Sequence, residues 1–519
     1  MMRHLSIALF FIAGVYAQTL SLDDAIKQTI QTNPTILERL KNFNAVREDL
    51  SGAYGKYMPS LSLRAGIGQE KVQSNFTNDV QVTSQVQSHS LTLNYNLFNG
   101  FGDLHTISQQ DARLQSAAYS YLENVDDVIL KLIESYVNVL RHNELMTVEK
   151  DNIKMDEKIY DDMLGKQKQG LQRLSDLKEA RSKLALAYTN HLSEENNIQD
   201  TLIKFHKVFG RYINIHDVIE PKFHEQLPSS IEAITKLALA NNPSIKVALF
   251  EMHAASHDYK SSRKSYMPSI DVEVSGSYSE NLSGIQSTNT NLGAMVYLNY
   301  NLFNGFSDSA KKQKKVSIMQ QKSAEMAKIK RDVIQAVQLA WTAFRITSKQ
   351  SVFIKWYVNS SKDKLNSYYK EFNIGRRSLI DLLGASDDYN NARRKMIHTK
   401  YDLIFARYRL LDAMGELTEA LGVNVRSRVG LARLKDSTLT SKDVSQLNDD
   451  IDTDRIANKS DICDNSVNDS NRTSISHYGC QERIRSNNSD FKALDSFLKE
   501  KIEDFVPNKS KPKIEGWDE

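Results

Sequence analysis

Residues 93–101 read LNYNLFNGF, and the same nine letters return as residues 298–306, a distance of 205 positions. A second pair of motifs, YMPSL at 57–61 and YMPSI at 266–270, lies 209 positions apart. Matches that keep the same order along a chain indicate an internal duplication, here with a unit of about 205 residues. The difference of four between the two offsets places a loop of variable length between the motifs.

Apolar and polar side chains alternate around these motifs, which is typical of strands with one apolar and one polar face. Leu61 and Leu63 follow this pattern in the first repeat, and Val296 and Leu298 follow it in the second. The sequence predicts four strands, two in each repeat, at about 59–70, 89–98, 268–279 and 292–303.

Two long segments without proline follow the strands, at about 103–165 and 308–372. In the first segment, apolar side chains recur every seven residues from Val125 to Tyr160, which is typical of coiled-coil packing. Each segment ends near a glycine, Gly170 or Gly375, after which a second helix is expected to return. The predicted fold class is therefore α+β, a duplicated helix–strand–strand–long-helix unit with four strands per chain.

The composition argues against several classes of protein. Of the 519 residues, 25% are charged and 40% are hydrophobic, the formal net charge is +3, and the mean hydropathy is −0.48. The balanced charge argues against a nucleic-acid-binding protein. No apolar run after the N-terminus is long enough for a membrane-spanning helix. Alternating strands barely affect such averages, so a membrane β-barrel is not excluded.

The first 17 residues have the features of a secretory signal peptide. Arg3 gives the positive start, Leu5 to Val15 form the apolar stretch, and Ala17 ends a cleavage site of small residues. The chain is thus expected to be exported. Residues 18–225 then form the first structural repeat, and residues 226–429 form the second.

Residues 430–519 are predicted to form a separate, polar and flexible tail, because they are rich in Asp, Asn, Ser and Lys. A short amphipathic helix is expected near residues 491–505. Both cysteines of the chain, Cys463 and Cys480, lie in this tail. In an exported chain an even number of cysteines favours a disulfide, and free thiols in a disordered tail are the equal alternative.

Four strands cannot close a barrel, because about eight is the smallest number seen in membrane barrels. A strand edge left open in lipid exposes unpaired backbone groups, so a barrel of such strands has to be shared between chains. Three copies give twelve strands and a water-filled lumen, whereas eight strands from two copies would be largely filled by side chains. The sequence therefore predicts a homotrimer in contact with membrane lipid.

The predicted barrel–helix junctions carry prolines, glycines and aromatic residues. The aromatic side chains could form a belt at the membrane interface or could plug the transition from barrel to helices, and the sequence leaves both open. The junction residues are Pro59, Phe98, Gly100, Pro268, Phe303 and Gly305.

These features resemble the TolC-like outer-membrane efflux protein family over about residues 18–422. The resemblance depends on the duplication, the openings SLDDAIKQTIQTNP (21–34) and SIEAITKLALANNP (230–243), the MPS and NLFNGF motifs, and the two glycine turns. It implies a trimer with a twelve-stranded barrel in the outer membrane and a coiled-coil helical tunnel in the periplasm. It also implies a passive exit duct for drug efflux or type I protein secretion, which works with a periplasmic adaptor and an inner-membrane ABC or proton-driven transporter.

The resemblance also implies roles for residues near the predicted turns. Asp381 matches an acidic ring at the pore entrance, and Arg377 and Asp176 match an arginine and an acidic partner that hold the entrance closed. A second acidic ring of the family falls on Gly384, so this pore is expected to be less selective for cations. The plain alternative for Asp176 and Asp381 is that they are solvent-facing acids at helix N-termini, stabilised by the helix dipole.

Gly170 and Gly375 are expected to be turn residues with positive φ. By the same resemblance they lie where an adaptor would dock.

No motif for catalysis or for a cofactor is present, which predicts that the protein is not an enzyme. His253 and His257 have helical metal-binding spacing but lack a third ligand nearby. Acidic pairs such as Asp126–Asp127 lie on charged helix faces, where solvated charge is expected. The functional alternative to an exit duct is a non-conducting coiled-coil protein of the periplasm or cell surface with a structural or adhesive role.

Overall fold

The computed structural model describes residues 19–73, 80–223 and 225–431. The predicted signal peptide, the tail from residue 432 onward and the possible Cys463–Cys480 disulfide lie outside the described residues. Within the described part, both repeats have the same order of elements: two short helices, two strands, a long helix and a return helix.

The helices and strands follow each other closely in both repeats. The first repeat consists of α1 (Leu22–Thr32), α2 (Pro34–Tyr54), β1 (Ser60–Val72), β2 (Val82–Asn99), α3 (Gly102–Lys168) and α4 (Leu174–Phe209). The second consists of α5 (Ile231–Asn241), α6 (Pro243–Ser261), β3 (Ser269–Glu280), β4 (Thr288–Asn299), α7 (Ser307–Asn373) and α8 (Leu379–Met414), followed by the short α9 (Leu417–Ala420). The two long helices are both 67 residues long, and the two return helices are both 36 residues long.

The repeated local motifs explain the matching helix starts. Ser21 caps α1 by accepting a hydrogen bond from the backbone N–H of Asp24, and Ser230 caps α5 by accepting one from Ala233. Asn33 and Asn242 cap α2 and α6, each of which begins with a proline. The starts of these four helices are thus set by the same side-chain chemistry in both repeats.

The capping asparagines also connect distant elements. The Asn33 side-chain amide donates to the carbonyl of Val208 at 2.9 Å, and Asn242 donates to that of Ala413 at 3.3 Å. Next to the second contact, Gly415 has a φ of +73°, and an added Cβ there would lie 2.7 Å from Cα of Asn242. Glycine is therefore required at Gly415 both by its backbone conformation and by this close approach.

The four strands form one antiparallel sheet in the order β1-β2-β3-β4. The register places apolar residues on one face, with Leu61, Leu93, Val274 and Ala294 forming a row across the sheet. The next row faces the opposite side and consists of Ser62, Thr92, Ser275 and Gly293. Each strand therefore contributes to one apolar face and one polar face.

Two strand bounds differ from the sequence prediction. Strand β2 begins at Val82 rather than near residue 89, and β4 spans Thr288–Asn299 rather than 292–303. Strand β2 has a partner on both sides, β1 and β3. Its last residue, Asn99, pairs with Ser269 at the start of β3. Strand β4 has a partner on one side only within the described chain, and that pairing ends where Ser269 meets Asn299.

The predicted seven-residue spacing describes the N-terminal half of α3 better than its C-terminal half. Val125, Leu132 and Val139 are buried in the large hydrophobic core, but Met146 is only half-buried. Beyond this point the fully buried positions shift by one residue, to Leu145, Asn152 and Ile159. The buried face changes along α3 because its neighbours change, from α6 near Ser116 to α8 near Glu149. Among the described residues, no helix is both long enough and apolar enough to cross a membrane.

Candidate functional site at the helical turns

The two turns that join the long helices to the return helices have the same backbone geometry. Gly170 has a φ of +70° and Gly375 a φ of +74°. The N–H of Gly170 donates to the carbonyl of Gln167 at 2.9 Å, and the N–H of Gly375 donates to that of Phe372 at 3.1 Å. Neither glycine has a described neighbour within 4 Å of the position of a Cβ, so its backbone conformation is the reason for glycine here.

The turns also expose large apolar side chains that the sequence analysis missed. Leu171 is 70% exposed, and Ile380 is 74% exposed. Leu174 and Ile374 are exposed as well. The sequence could have indicated this surface, because an apolar residue lies directly beside each turn glycine. A turn at the end of two long helices has no core in which such a residue could be buried. The tips of the two helical hairpins, α3–α4 and α7–α8, therefore form an apolar surface around the two glycine turns.

Asp381 lies in the first turn of α8 and is exposed. Its carboxylate accepts a hydrogen bond from Oγ of Ser378 at 2.7 Å, and its own N–H donates to the same Oγ at 3.2 Å. This is a helix N-cap, so the plain structural explanation of Asp381 holds in one copy of the chain. The capped geometry also fixes the direction of the carboxylate.

Asp176 and Arg377 do not contact each other within the chain. Asp176 accepts a hydrogen bond from the side-chain amide of Gln172 at 2.6 Å. Arg377 instead pairs with Glu371, since its Nη2 lies 2.7 Å from Oε2 of that residue. The guanidinium carbon of Arg377 also lies 4.1 Å from the centre of the Tyr368 ring. Neither partner of Arg377 was predicted.

Aromatic and ionic contacts connect the C-terminal end of α3 to the C-terminal end of α7. The hydroxyl of Tyr369 donates to Oδ2 of Asp162 at 3.2 Å, and Nζ of Lys158 lies 4.7 Å from the centre of the same ring. Lys166 lies 4.5 Å from the ring centre of Phe372. These contacts lie against a small hydrophobic core that includes Ile159, Met163, Leu365, Leu379, Leu382 and Leu383.

The contact between α3 and α8 is polar along much of its length. Arg393 pairs with Asp151, and Arg394 pairs with Glu149, each at 2.8 Å. Farther from the glycine turns, Lys400 pairs with Glu144 at 3.0 Å. The amide of Asn390 donates to Asn152 in the same row. The two hairpins of one chain are thus joined by specific polar pairs in addition to the apolar core that they share.

Three acidic side chains in α3 are buried, namely Asp126, Glu149 and Asp156, and the pKa of two of them is raised. Burial, and then the neighbouring Asp387 carboxylate, raise the pKa of Asp156 to about 6. Asp126 is only 5% exposed, and burial followed by the nearby Asp412 raises its pKa to about 8. The expectation that the Asp126–Asp127 pair carries solvated charge is therefore wrong for Asp126, because Thr418 and the chain that follows α8 cover it.

At the other end of the long helices, the two strand-to-helix junctions also repeat one another. Gly100 and Gly305 have φ values of +53° and +54°, and each is followed by a phenylalanine with positive φ. The rings of Phe98 and Phe101 meet edge to face at 5.2 Å, as those of Phe303 and Phe306 do at 5.4 Å. Pro59 and Pro268 each directly precede the first residue of a strand, β1 and β3.

Within residues 19–431, as far as the structure describes them, no group of three or more His, Cys, Asp or Glu side chains is arranged to hold a metal ion. His253 and His257 lie on α6, and burial lowers the pKa of both.

The sequence profile of the outer membrane efflux protein family matches residues 25–211 and 234–416, which lie one in each repeat. The chain belongs to this family. The efflux protein is therefore an outer-membrane channel protein with its helical domain in the periplasm, and it is not an enzyme. This membership argues against the structural or adhesive alternative.

Similar proteins match this chain over most of their length. The efflux protein is 21% identical to the outer membrane protein TolC of Escherichia coli over 419 residues, which is 78% of this chain and 84% of TolC. It is 20% identical over 422 residues to the alkaline protease secretion protein AprF of Pseudomonas aeruginosa, which is 78% of this chain and 86% of AprF.

Solved structures of outer-membrane channels share the fold. The CmeC channel of Campylobacter jejuni superimposes with a TM-score of 0.68 at 15% identity, over 80% of this chain and 90% of CmeC. The outer-membrane channel OprN gives a TM-score of 0.69 at 13% identity, over 76% of this chain and 89% of OprN. The predicted fold class, a sheet domain on long paired helices of a TolC-like channel, is confirmed.

Proposed function

We propose that three copies of the efflux protein form a twelve-stranded barrel on a helical tunnel and act as a passive exit duct across the outer membrane. The observation that carries this proposal is the sheet: four strands with one apolar face and two edges that no described strand covers. Such a sheet is stable in lipid only if other chains pair with both edges, because each unpaired backbone group in lipid costs several kcal/mol.

The faces of the sheet support this orientation. The row that contains Leu61 and Val274 is apolar and suits lipid, whereas the row that contains Ser62 and Thr92 suits a water-filled lumen. Leu63 and Leu292 on the apolar face are 74% and 82% exposed in the isolated chain. Large exposed apolar side chains on one side of a sheet are expected where lipid covers them.

The turns at the far end of the helices are proposed as the periplasmic entrance. In a three-fold assembly Asp381 forms a ring of three carboxylates, which favours cations in a narrow opening. Arg377 of one copy is proposed to exchange its partner between Glu371 of its own hairpin and Asp176 of a neighbouring copy. The first state leaves the neighbouring hairpins free, and the second joins them.

A periplasmic adaptor and an inner-membrane transporter are the proposed partners. The chain has no nucleotide-binding motif, so the energy for transport has to come from another protein. The exposed Leu171, Leu174, Ile374 and Ile380 around Gly170 and Gly375 form an apolar surface suited to the adaptor. Relatives include TolC and the protease secretion protein AprF, so both small-molecule efflux and type I protein secretion are candidate roles.

Conductance of the purified full-length protein in planar bilayers tests the proposal. We expect single channels with small current in the wild type and larger current in an Arg377→Ser, Asp176→Asn double variant, which cannot join neighbouring hairpins. Lys222→Ser, a change of one exposed charge away from the turns, is the control and should leave the current unchanged. A detergent-stable trimer that never conducts, even as the double variant, would overturn the function as a duct.

A further inference from the structure

Basic side chains cluster beside the start of β3, where the end of α6, the 3₁₀ turn Ser262–Tyr266 and the start of α7 come together. We call this cluster the basic patch, and it consists of Lys260, Arg263, Lys264 and Lys312. The first three are exposed, and Lys312 is half-buried. Three of the four come from five consecutive residues, and the fourth is brought to them by the packing of α7 on α6.

Two tyrosines lie within the patch. Nζ of Lys312 lies 5.8 Å from the centre of the Tyr266 ring, and the guanidinium carbon of Arg263 lies 5.6 Å from that of the Tyr259 ring. A hydrogen bond from Arg263, and then the charge of Lys312, lower the pKa of the Tyr259 hydroxyl. Both cations therefore act on the same tyrosine, although they lie on different elements of the chain.

The charge of the patch is not neutralised within the described part of the chain. The nearby acids pair with other lysines: Asp258 pairs with Lys315, and Asp308 lies 3.6 Å from Nζ of Lys311. Among the described residues, no carboxylate oxygen lies within 4.0 Å of a cationic group of the patch. Burial, and then two cations of the patch, lower the pKa of His105 on α3, as expected beside uncompensated positive charge.

The first repeat forms the same turn without these charges. The counterparts of the four basic residues, 209 positions earlier for the turn and 205 for the long helix, are Ser51, Tyr54, Gly55 and Ile107. Lys56 is the only basic residue between positions 51 and 57. Both repeats nevertheless have a 3₁₀ turn that leads through a methionine and a proline into a strand. The fold of the turn therefore does not need the four charges.

The patch lies next to the level at which the apolar face of the sheet ends. Ile270, the first residue of β3 on that face, follows Lys264 by six residues. Lys312 lies five residues into α7, which is about 8 Å along the helix axis. The headgroup region of a bilayer extends about 5–8 Å beyond each side of the hydrocarbon core. Basic and tyrosine side chains beside an apolar strand face are thus at the depth of lipid headgroups.

The polar face of the sheet carries the opposite charge at this level. Asp271 lies on that face, eight residues after Arg263. Its carboxylate accepts hydrogen bonds from the amides of Asn96 and Asn299 and from the hydroxyl of Ser269. A cation on the same side would be expected to pair with this carboxylate. The partners of Asp271 therefore support a position of the patch on the side of the apolar face.

We propose that the basic patch binds the phosphodiester headgroups of anionic phospholipids in the bilayer leaflet nearest to the helices. Arg263 can donate two hydrogen bonds to one phosphate, and the lysine ammonium groups add charge around it. The acyl chains of the same lipid would then lie on the apolar face beside Ile270. A lipid fits this combination better than a free phosphate does, because the cations and the apolar face are continuous. The inference rests on the proposed placement of the sheet in the bilayer.

Lipid binding by the full-length protein tests the patch. The protein in detergent is freed of bound lipid and titrated with dioleoylphosphatidylglycerol or dioleoylphosphatidylcholine, and the bound lipids are counted by native mass spectrometry. We expect the wild type to bind the anionic lipid more tightly than the zwitterionic one. Arg263→Gln with Lys312→Gln should weaken binding of the anionic lipid roughly tenfold or more, since each basic residue beside a bilayer adds to the attraction. Binding of the zwitterionic lipid should not change.

Two further variants separate charge from fold and position. Lys355→Gln with Lys362→Gln removes the same number of charges from exposed positions of α7, about 60 Å farther along the helix, and should keep the preference. Arg263→Lys with Lys312→Arg keeps both charges in the patch and should also keep most of the preference. Loss of the preference in the first of these pairs would show a general effect of charge and would overturn the patch.

Equal binding of the two lipids by the wild type, or an unchanged preference in the Gln variant of the patch, would overturn the proposal. Competition by glycerophosphoglycerol, the same headgroup without acyl chains, at the concentration at which the lipid binds would overturn a lipid as the ligand. Conductance in planar bilayers is measured separately. A wild type that conducts but does not prefer the anionic lipid overturns the patch and leaves the duct intact. A protein that binds as expected but never conducts overturns the duct alone.

Discussion

The guanidinium group of Arg377 is held by Glu371, six residues earlier in the same hairpin, with Nη2 2.7 Å and Nε 2.9 Å from Oε2 of the carboxylate. Both side chains are about one-third exposed, so solvent screens the pair and it adds little to stability. A contact this weak can be exchanged for another of similar strength. This property suits a residue that is proposed to hold an entrance closed in one state and release it in another.

Replacing Glu371 with Gln tests this exchange. We expect the variant to lower the mean current in planar bilayers, because Arg377 loses its partner in its own hairpin and is free for Asp176 of the neighbouring copy. Arg377→Ser should have the opposite effect and raise the current. If Glu371→Gln raises the current as much as Arg377→Ser does, Glu371 itself helps to hold the entrance closed and the exchange is wrong.

Ion selectivity should depend on the acidic residues in the first turn of α8. Asp381→Ala should shift the reversal potential in a salt gradient towards lower cation preference, and Gly384→Asp should shift it the other way. The second change is sterically feasible, because no described atom lies within 4 Å of an added Cβ at Gly384. Asp388→Ala, further along the same helix, is the control. Unchanged reversal potentials in both variants would remove this turn from the pore.

A glycine in a turn with positive φ should matter more for stability than a glycine inside a helix, because other residues are strained at positive φ. Gly375→Ala places a side chain at a φ of +74° and should destabilise the folded protein by about 1 kcal/mol. Gly165→Ala makes the same chemical change inside α3, where it should stabilise by up to about 1 kcal/mol. Chemical denaturation followed by circular dichroism measures both. A Gly375→Ala variant as stable as Gly165→Ala would contradict the assigned turn.

The buried Asp126 predicts how stability changes with pH. Its pKa is raised to about 8 by burial and by Asp412, whereas the unfolded value is about 4. Between these two values the folded protein keeps a proton that the unfolded chain has released, so stability falls as pH rises from about 4 to about 8. Asp126→Asn removes this loss and keeps an oxygen that can accept from Thr418.

We therefore expect Asp126→Asn to raise the melting temperature at pH 8.5 much more than at pH 4.5. The gain has an upper bound of roughly 5 kcal/mol, since each unit of pKa shift corresponds to about 1.4 kcal/mol. Asp127→Asn provides the control, because Asp127 is half-exposed and pairs with Lys131. An equal effect of the two substitutions, or a gain independent of pH, would contradict the assignment.

The turns and strands that occur in both repeats were predictable, because their sequence motifs occur twice in the chain. The matching motifs at Gly100 and Gly305, and the glycines at Gly170 and Gly375, indicate turns from the sequence alone. The period of two predicted four strands, although not where β4 stops. That end depends on which strand lies next to it, and this information is not local.

The partners of individual charged residues could not be predicted from the sequence. Asp126 and Asp127 are the same residue type at adjacent positions, yet the first is buried and the second is exposed. The difference comes from the chain near Thr418, almost 300 residues away. Likewise, Arg394 and Glu149 meet because α8 packs on α3, and no local pattern marks this pair.

The two uncovered edges of the sheet have a consequence for how the protein reaches its final state. An unassembled subunit in water carries both edges exposed, and such edges tend to recruit other strands and aggregate. In the proposed trimer, joining two subunits hides one edge of each but still leaves two outer edges uncovered. The third subunit then removes the last two at once. Biogenesis should therefore be strongly cooperative, and half-built pores that leak across the membrane should be too unstable to accumulate.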